Sequence, residues 1–205
     1  MSKKEIDYDS NYATRQLKRK QNVLRRFVKS FYLRNILKHV EGPAVDFGCG
    51  AGQLLERLPP SSIGLEVNLN LIRSLSADGM DVRYYDAATD GLTLSQLPVG
   101  FFKTFIMAHV LEHFDDAATV IKQILASCRR LEVERVIVVV PGEKGYRFDK
   151  THRTLVTRAY LHKHGALAQP GFRAISITYF PINISWIGRF FVFHEMKVVY
   201  ETTRD

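Results

Sequence analysis

Short apolar runs alternate along this chain with stretches whose apolar residues recur at helical spacing, and that alternation leaves few folds open. The runs predict strands at about 43–47, 63–66, 82–85, 102–107 and 135–140. Arg135–Val140 is nearly continuous in β-branched residues, as a strand buried on both faces requires. Between the runs, a short helix is expected over Gln53–Leu58, stopped by Pro59-Pro60. A second helix is expected over Leu69–Ala77, with Gly79 just past its end. A third, capped by Asp115 or Asp116, places Val120, Ile121, Ile124, Leu125, Cys128 and Leu131 on one face. Repeated βα units of this size specify an α/β fold with a doubly wound parallel sheet. After Pro141 the pattern loosens. Gly142–Arg153 reads as a loop, Thr157 as the cap of a short helix ending at Gly165, and Arg173–Tyr179 and Lys197–Glu201 as two more strands. Pro181–His194 carries Trp186, Ile187, Phe190, Phe191 and Phe193. It reads either as core or a dimer face, or as an apolar wall over a ligand.

The first strand ends in Val45-Asp46-Phe47-Gly48-Cys49-Gly50-Ala51-Gly52, and the second ends in Glu66. Glycine turns sharply and lets a ligand lie against the backbone. Three glycines at alternate positions after a strand therefore build a cradle at its C-terminal edge, where open α/β sheets bind ligands. A carboxylate at the tip of the next strand can accept from both hydroxyls of a ribose. Charged hydrogen bonds of that kind contribute roughly 1.5–3 kcal/mol each. The dinucleotide fingerprint places its third glycine one residue later, where Gln53 stands, and has no counterpart of Asp46.

The 205 residues suit one domain with an appendage. Net charge is +8, and residues 1–40 carry all of the excess, with eleven Lys/Arg against three Asp/Glu. There Arg15, Lys18, Arg19, Arg25, Arg26 and Lys29 interleave with Leu17, Leu24, Phe27, Val28 and Phe31 at helical spacing. This basic helical extension (1–40) is expected to pack on the sheet edge with a solvated basic face, ahead of a ligand-binding domain over 41–205. A face for phosphate, RNA or anionic lipid is the alternative. Cys49 and Cys128 show no metal-ligand spacing, and no metal is expected. The first residues lack a secretory apolar stretch and no run reaches membrane-spanning length, so the expectation is a cytoplasmic protein with no transmembrane segment, monomeric or homodimeric.

The stretch Asp46-Phe-Gly-Cys-Gly-Ala-Gly52 resembles motif I of the class I S-adenosylmethionine (SAM) dependent methyltransferases. The resemblance covers about 40–205. It implies a Rossmann-like seven-stranded sheet whose last two strands form an antiparallel pair, with SAM as cofactor. The SAM-binding residues it implies are Asp46, Gly48, Cys49, Gly50, Gly52 and Glu66. Asp86 and Ala87, after Tyr84-Tyr85, match the position that meets adenine, although Asp86 could simply cap the following turn. Ala108 and the sequence His109-Val110-Leu111-Glu112-His113 resemble the motif after strand four in the small-molecule branch, where methyl group and acceptor meet. Lys103 departs from that branch, which usually has an acid there.

Asp149-Lys150-Thr151-His152 is similar to a loop found over the acceptor in many such enzymes, including some encoded with glycan-assembly genes. His152 is the first choice of general base, with His113 and His109 as the other candidates, because a neutral imidazole accepts a hydroxyl proton at pH 7. Each of these side chains could instead only brace its loop. The resemblance implies a SAM-dependent methyltransferase acting on a small-molecule or glycan acceptor, most simply at oxygen. After strand four there is no Asn/Asp-Pro-Pro-aromatic motif of amide or adenine methylation, no Pro-Cys nucleophile for cytosine, and no cysteine cluster. Two alternatives stand beside this reading. One is an RNA methyltransferase that uses the basic extension, a nucleic-acid partner being less favoured. The other is a non-catalytic SAM-binding protein, its acceptor pocket closed by Trp186 and Phe190.

Overall fold

The computed structural model describes residues 32–203. Most of the basic extension, residues 1–31, lies outside the described residues. Its last part forms a helix, α1, over 32–37. Tyr32, Leu33 and Ile36 of α1 are buried against Ala44, Ile106, Ile137 and Val139. These partners lie in the central strands, so α1 covers the middle of the sheet rather than its edge.

The strands are β1 (Ala44–Phe47), β2 (Ile63–Glu66), β3 (Val82–Tyr84), β4 (Thr104–Ala108), β5 (Arg135–Pro141), β6 (Ala168–Gln169), β7 (Phe172–Phe180) and β8 (Glu195–Thr202). They form one sheet in the order β3-β2-β1-β4-β5-β8-β7-β6. The first five are parallel, and β8 runs antiparallel between β5 and β7. This is the expected doubly wound sheet with its antiparallel pair. An eighth strand arises because Ala168–Gln169 folds back on Phe172–Arg173 in a tight hairpin. The reversal of strand order between β1 and β4 leaves a crevice beyond their C-terminal ends, which is where both sets of candidate residues lie.

The other helices are α2 (Leu69–Ala77), α3 (Ala87–Asp90), α4 (Ala117–Arg130), α5 (Glu143–Phe148) and α6 (Arg158–Lys163). Helix α2 has the predicted limits because the Asn68 side chain accepts from the N–H groups of Asn70 and Leu71. Asp116 caps α4, accepting from Thr119 N at 3.0 Å, and Thr157 caps α6, accepting from Tyr160 N at 3.0 Å. The apolar face of α4 is buried as its spacing predicts.

The helix predicted over Gln53–Leu58 is reduced to a single 3-10 turn, Leu55–Arg57. Pro59 forces Leu58 into an extended conformation (ψ 158°), so the chain between Gly52 and Pro59 is too short to propagate an α-helix. The segment 142–153, expected as loop, contains α5. The aromatic segment between β7 and β8 is not core: Trp186, Phe190 and Phe193 are exposed by 59%, 67% and 53%. Among the described residues no helix is long and apolar enough to cross a membrane.

Candidate active site

Two clusters meet along the C-terminal edge of the parallel strands. The first is built on β1 and β2. Past Phe47 the chain runs through Gly48, Gly50 and Gly52 with φ of 71°, 55° and 70°, a region that side chains with a Cβ rarely adopt. A Cβ on Gly48 would stand 2.6 Å from Val110 Cγ2, and one on Gly52 2.8 Å from Leu75 Cδ2. Packing therefore excludes a side chain at both positions. Gly50 differs: a Cβ there would meet only Gly48 O, at 4.0 Å. The space over Gly50 is open, as a cradle for a ligand requires.

Glu66, at the tip of β2, is buried and ties the loop down. Its Oε2 accepts from Gly50 N at 2.9 Å, and its Oε1 accepts from Val67 N and Asn68 N, each at 2.9 Å. Each carboxylate oxygen has two acceptor positions, so Oε2 keeps one for a hydroxyl donor. Asp46 is buried beneath the loop. Burial, with the charges of Asp46 and Glu66, pushes the Cys49 thiol far up, so it remains a thiol packed on Gly64. Asp86 caps α3, accepting from Ala88 N and from Thr89 Oγ1, both at 2.9 Å, and Ala87 begins that helix.

The second cluster follows β4. Ala108 ends the strand, and His109 takes a left-handed φ of 58° while its N–H donates to Val139 O at 2.9 Å. This turn aims the ring between two acids. Nε2 lies 2.9 Å from Glu195 Oε1, and Nδ1 lies 3.4 Å from Glu112 Oε1. Burial opposes the imidazolium, but Glu195 and Glu112 outweigh it and push the pKa up to about 10. At neutral pH His109 is therefore a fixed positive charge with no lone pair to offer as a base. The Tyr32 ring packs 5.8 Å from it, and burial beside Glu195, Asp46 and Glu112 keeps that phenol neutral.

A 3-10 turn, Leu111–His113, then carries Glu112 and His113. Glu112 is fully buried, and its backbone carbonyl accepts from Arg153 N at 2.8 Å and Thr154 N at 3.1 Å. These two bonds dock the loop after α5 onto the turn after β4. His152 Nε2 thereby stands 3.7 Å from Glu112 Oε1, and the His113 and His152 rings are 4.9 Å apart. His152 Nδ1 lies 2.9 Å from Tyr146 O, and His113 Nδ1 lies 3.4 Å from Thr151 O. A carbonyl only accepts, so both rings carry hydrogen on Nδ1, and the neutral form of each has its lone pair on Nε2. Burial lowers the His113 pKa and outweighs the opposing pull of Glu112, which favours the neutral ring.

The Gly48–Val110 contact puts the two clusters side by side. The candidate residues of motif I therefore gather in one place and His109, His113 and His152 in the adjoining one. Sequence reasoning missed Glu195 and Tyr32. Glu195 is an acid opening a strand that also carries Lys197 and Glu201, a weak signal whose partner is 86 residues away. Tyr32 is one apolar position of an amphipathic helix among several.

Residues 45–131, from β1 to the end of α4, match the family model described as a methyltransferase domain. No curated protein matches the chain at a significant level. Among solved structures, a SAM dependent methyltransferase from Archaeoglobus fulgidus aligns with TM-score 0.67 and 20% identity, over 94% of this chain and 100% of that one. Magnesium protoporphyrin IX methyltransferase from Synechocystis PCC 6803, with bound S-adenosylhomocysteine (SAH), aligns with TM-score 0.63 and 14% identity, over 96% and 97% of the two chains. The N-methyltransferase NodS from Bradyrhizobium japonicum WM9, also with SAH, aligns with TM-score 0.63 and 14% identity, over 95% and 98%. At these identities the likeness is one of fold, and the acceptors named for those proteins are theirs.

Proposed function

We propose, for a chain that carries the class I SAM-dependent methyltransferase domain, that it methylates an oxygen of a small molecule or glycan intermediate. The observation that carries this reading is the docking of His152 and Glu112 beside the glycine loop, through the bonds from Arg153 and Thr154 to Glu112 O. SAM is the cofactor, and when bound it supplies a methyl group already activated on a sulfonium. The open space over Gly50 and the spare acceptor on Glu66 suit its amino-acid tail and its ribose. Asp46, Gly48, Cys49 and Gly52 shape the remainder of that cradle, with Asp86, Ala87 and Ala108 at its adenine and methyl ends.

The protein's task is then to align the acceptor, exclude water and take a proton. His152 offers a lone pair at Nε2 beside Glu112 and is the proposed base, with His113 next to it. His109 holds its charge and organises the turn after β4. The setting proposed is cytoplasmic, with the enzyme a monomer or a homodimer.

Trp186 and Phe190 are exposed, which lends no support to a protein that binds SAM without turning it over behind a closed acceptor pocket. The RNA reading rests on the basic extension over 1–40, most of which, residues 1–31, lies outside the described residues.

Calorimetric titration with SAH tests the cofactor site. The parent chain is expected to bind, and Glu66→Ala to weaken binding by about 10- to 100-fold, the loss of one charged hydrogen bond or more. Preferential binding of a nicotinamide dinucleotide would refute the reading. Transfer of labelled methyl from SAM to cell fractions then separates glycan from RNA acceptors.

A further inference from the structure

Three side chains converge beside the cradle in a way that base catalysis alone does not use. Glu112, His113 and His152 each bring a ligand-type atom to within 4.8 Å of the other two. Glu112 is completely buried, and neither of its carboxylate oxygens has a hydrogen-bond partner among the described residues. His109 Nδ1 and His152 Nε2 stand 3.4 and 3.7 Å from Oε1, without hydrogen-bond geometry. The His109 imidazolium meets part of the Glu112 charge, but neither oxygen accepts a hydrogen bond, and a buried carboxylate left so is costly until further donors or a second cation complete it.

The two histidines are held as metal ligands usually are. Each donates Nδ1–H to a neighbouring acceptor, Tyr146 O for His152 and, for His113, Thr151 Oγ1 at 3.2 Å with Thr151 O at 3.4 Å. That outer bond fixes the tautomer and frees Nε2 for coordination. Tyr146 lies in α5 and Thr151 in the loop after it, where Asp149 Oδ1 accepts from Thr151 N at 2.9 Å and from Thr151 Oγ1 at 2.7 Å.

We propose that Glu112, His113 and His152 form a binding site for one divalent transition-metal ion, whose open position takes the acceptor oxygen. Two imidazoles and one carboxylate, with a position left for substrate, suit Zn²⁺ or Mn²⁺. Bonds of about 2.0–2.2 Å put ligand atoms roughly 3–3.5 Å apart, so from separations of up to 4.8 Å a contraction of at most roughly 1.3–1.8 Å completes the site. The inference rests on the methyl-transfer reading only for the metal's role. There a metal-bound hydroxyl loses its proton to water more readily. Its oxygen forms the new C–O bond while the methyl–sulfur bond breaks, and that electron pair stays on sulfur as a neutral thioether. With the ion bound, His152 acts through it; without the ion it is the base proposed above.

The experiment uses the full-length chain, stripped with chelator and titrated with Co²⁺ as a spectroscopic probe. One Co²⁺ per chain is expected, with d–d bands of a nitrogen/oxygen site. Affinity should fall at least about 100-fold in each of Glu112→Gln, His113→Ala and His152→Gln, exceeding the 10- to 100-fold typical of losing an outer-shell partner. Zn²⁺ should raise the melting temperature of the parent and not of the variants. Melting curves without metal show which variants fold, and any one folded variant suffices for the comparison. Absence of Co²⁺ binding by the folded parent, or binding that survives every folded variant, overturns the site. SAH is titrated in parallel. Retained SAH binding without Co²⁺ binding removes the metal site and leaves the methyltransferase reading with His152 as base. Lost SAH binding with intact Co²⁺ binding does the reverse.

Discussion

At the residue scale, His109 concentrates the electrostatics of this site. Its left-handed backbone and its two acidic neighbours hold an imidazolium at the end of β4. A pKa raised to about 10, against about 6.5 in the unfolded chain, means that the folded state keeps a proton that the unfolded state has lost between those values. The contribution of His109 to stability is therefore fully present below pH 6.5 and disappears as pH rises through 10. Burial lowers the pKa of Lys197 to about 8, with Lys38 adding to the effect, and this works in the opposite direction above pH 8. The comparison must therefore be with a variant that retains Lys197. Urea unfolding of the parent and of His109→Gln is expected to show a stability difference that is constant near pH 6 and shrinks toward pH 10. A pH-independent difference would show that the charge on His109 contributes nothing.

At the element scale, caps and prolines decide where helices begin and end. Asp116 accepts from Thr119 N and, at 2.6 Å, from Thr119 Oγ1, which fixes the start of α4. Asp116→Ala is expected to lower stability by about 1 kcal/mol, read as a shift of the urea midpoint at unchanged slope. These signals act over three or four residues, so the limits of α2 were readable directly and the cap of α4 to within one residue, Asp115 or Asp116. The 3-10 turn at Leu55–Arg57 and the helix α5 were harder. Pro59-Pro60 announced a stop but not how little helix would remain before it. Helix α5 spans six residues containing Gly145, too short to display a period. The segment between β7 and β8 carried the aromatic content of a core strand, yet its Trp186 and Phe190 pack edge-to-face on each other at 6.2 Å and stay at the surface.

At the scale of the whole molecule, β8 and α1 join the two ends of the chain to its centre. Strand β8 inserts between β5 and β7 and delivers Glu195 to His109. Helix α1 lies across β1, β4 and β5, and Lys197 of β8 donates to Asn35 O at 3.0 Å and Asn35 Oδ1 at 2.8 Å. A helix that packs this way is structural as well as basic. Ile36, 1% exposed, sits at the centre of that contact. Ile36→Ala is expected to destabilise the protein by about 2–5 kcal/mol, measured by chemical denaturation. A loss below 1 kcal/mol would show that α1 is dispensable to the sheet.

By itself the sequence determined the five parallel strands, the helices α2, α4 and α6, and the glycine cradle with Glu66. Each of these depends on periodicity or on the conformational freedom of a few neighbouring residues. Only the tertiary structure decided what the histidines are for. His109 faces Glu195, and His152 faces Glu112, because strands distant in sequence lie side by side and because the loop after α5 docks on Glu112 O. Charge, tautomer and ligand geometry depend on distances between groups tens of residues apart, and no local pattern records those distances.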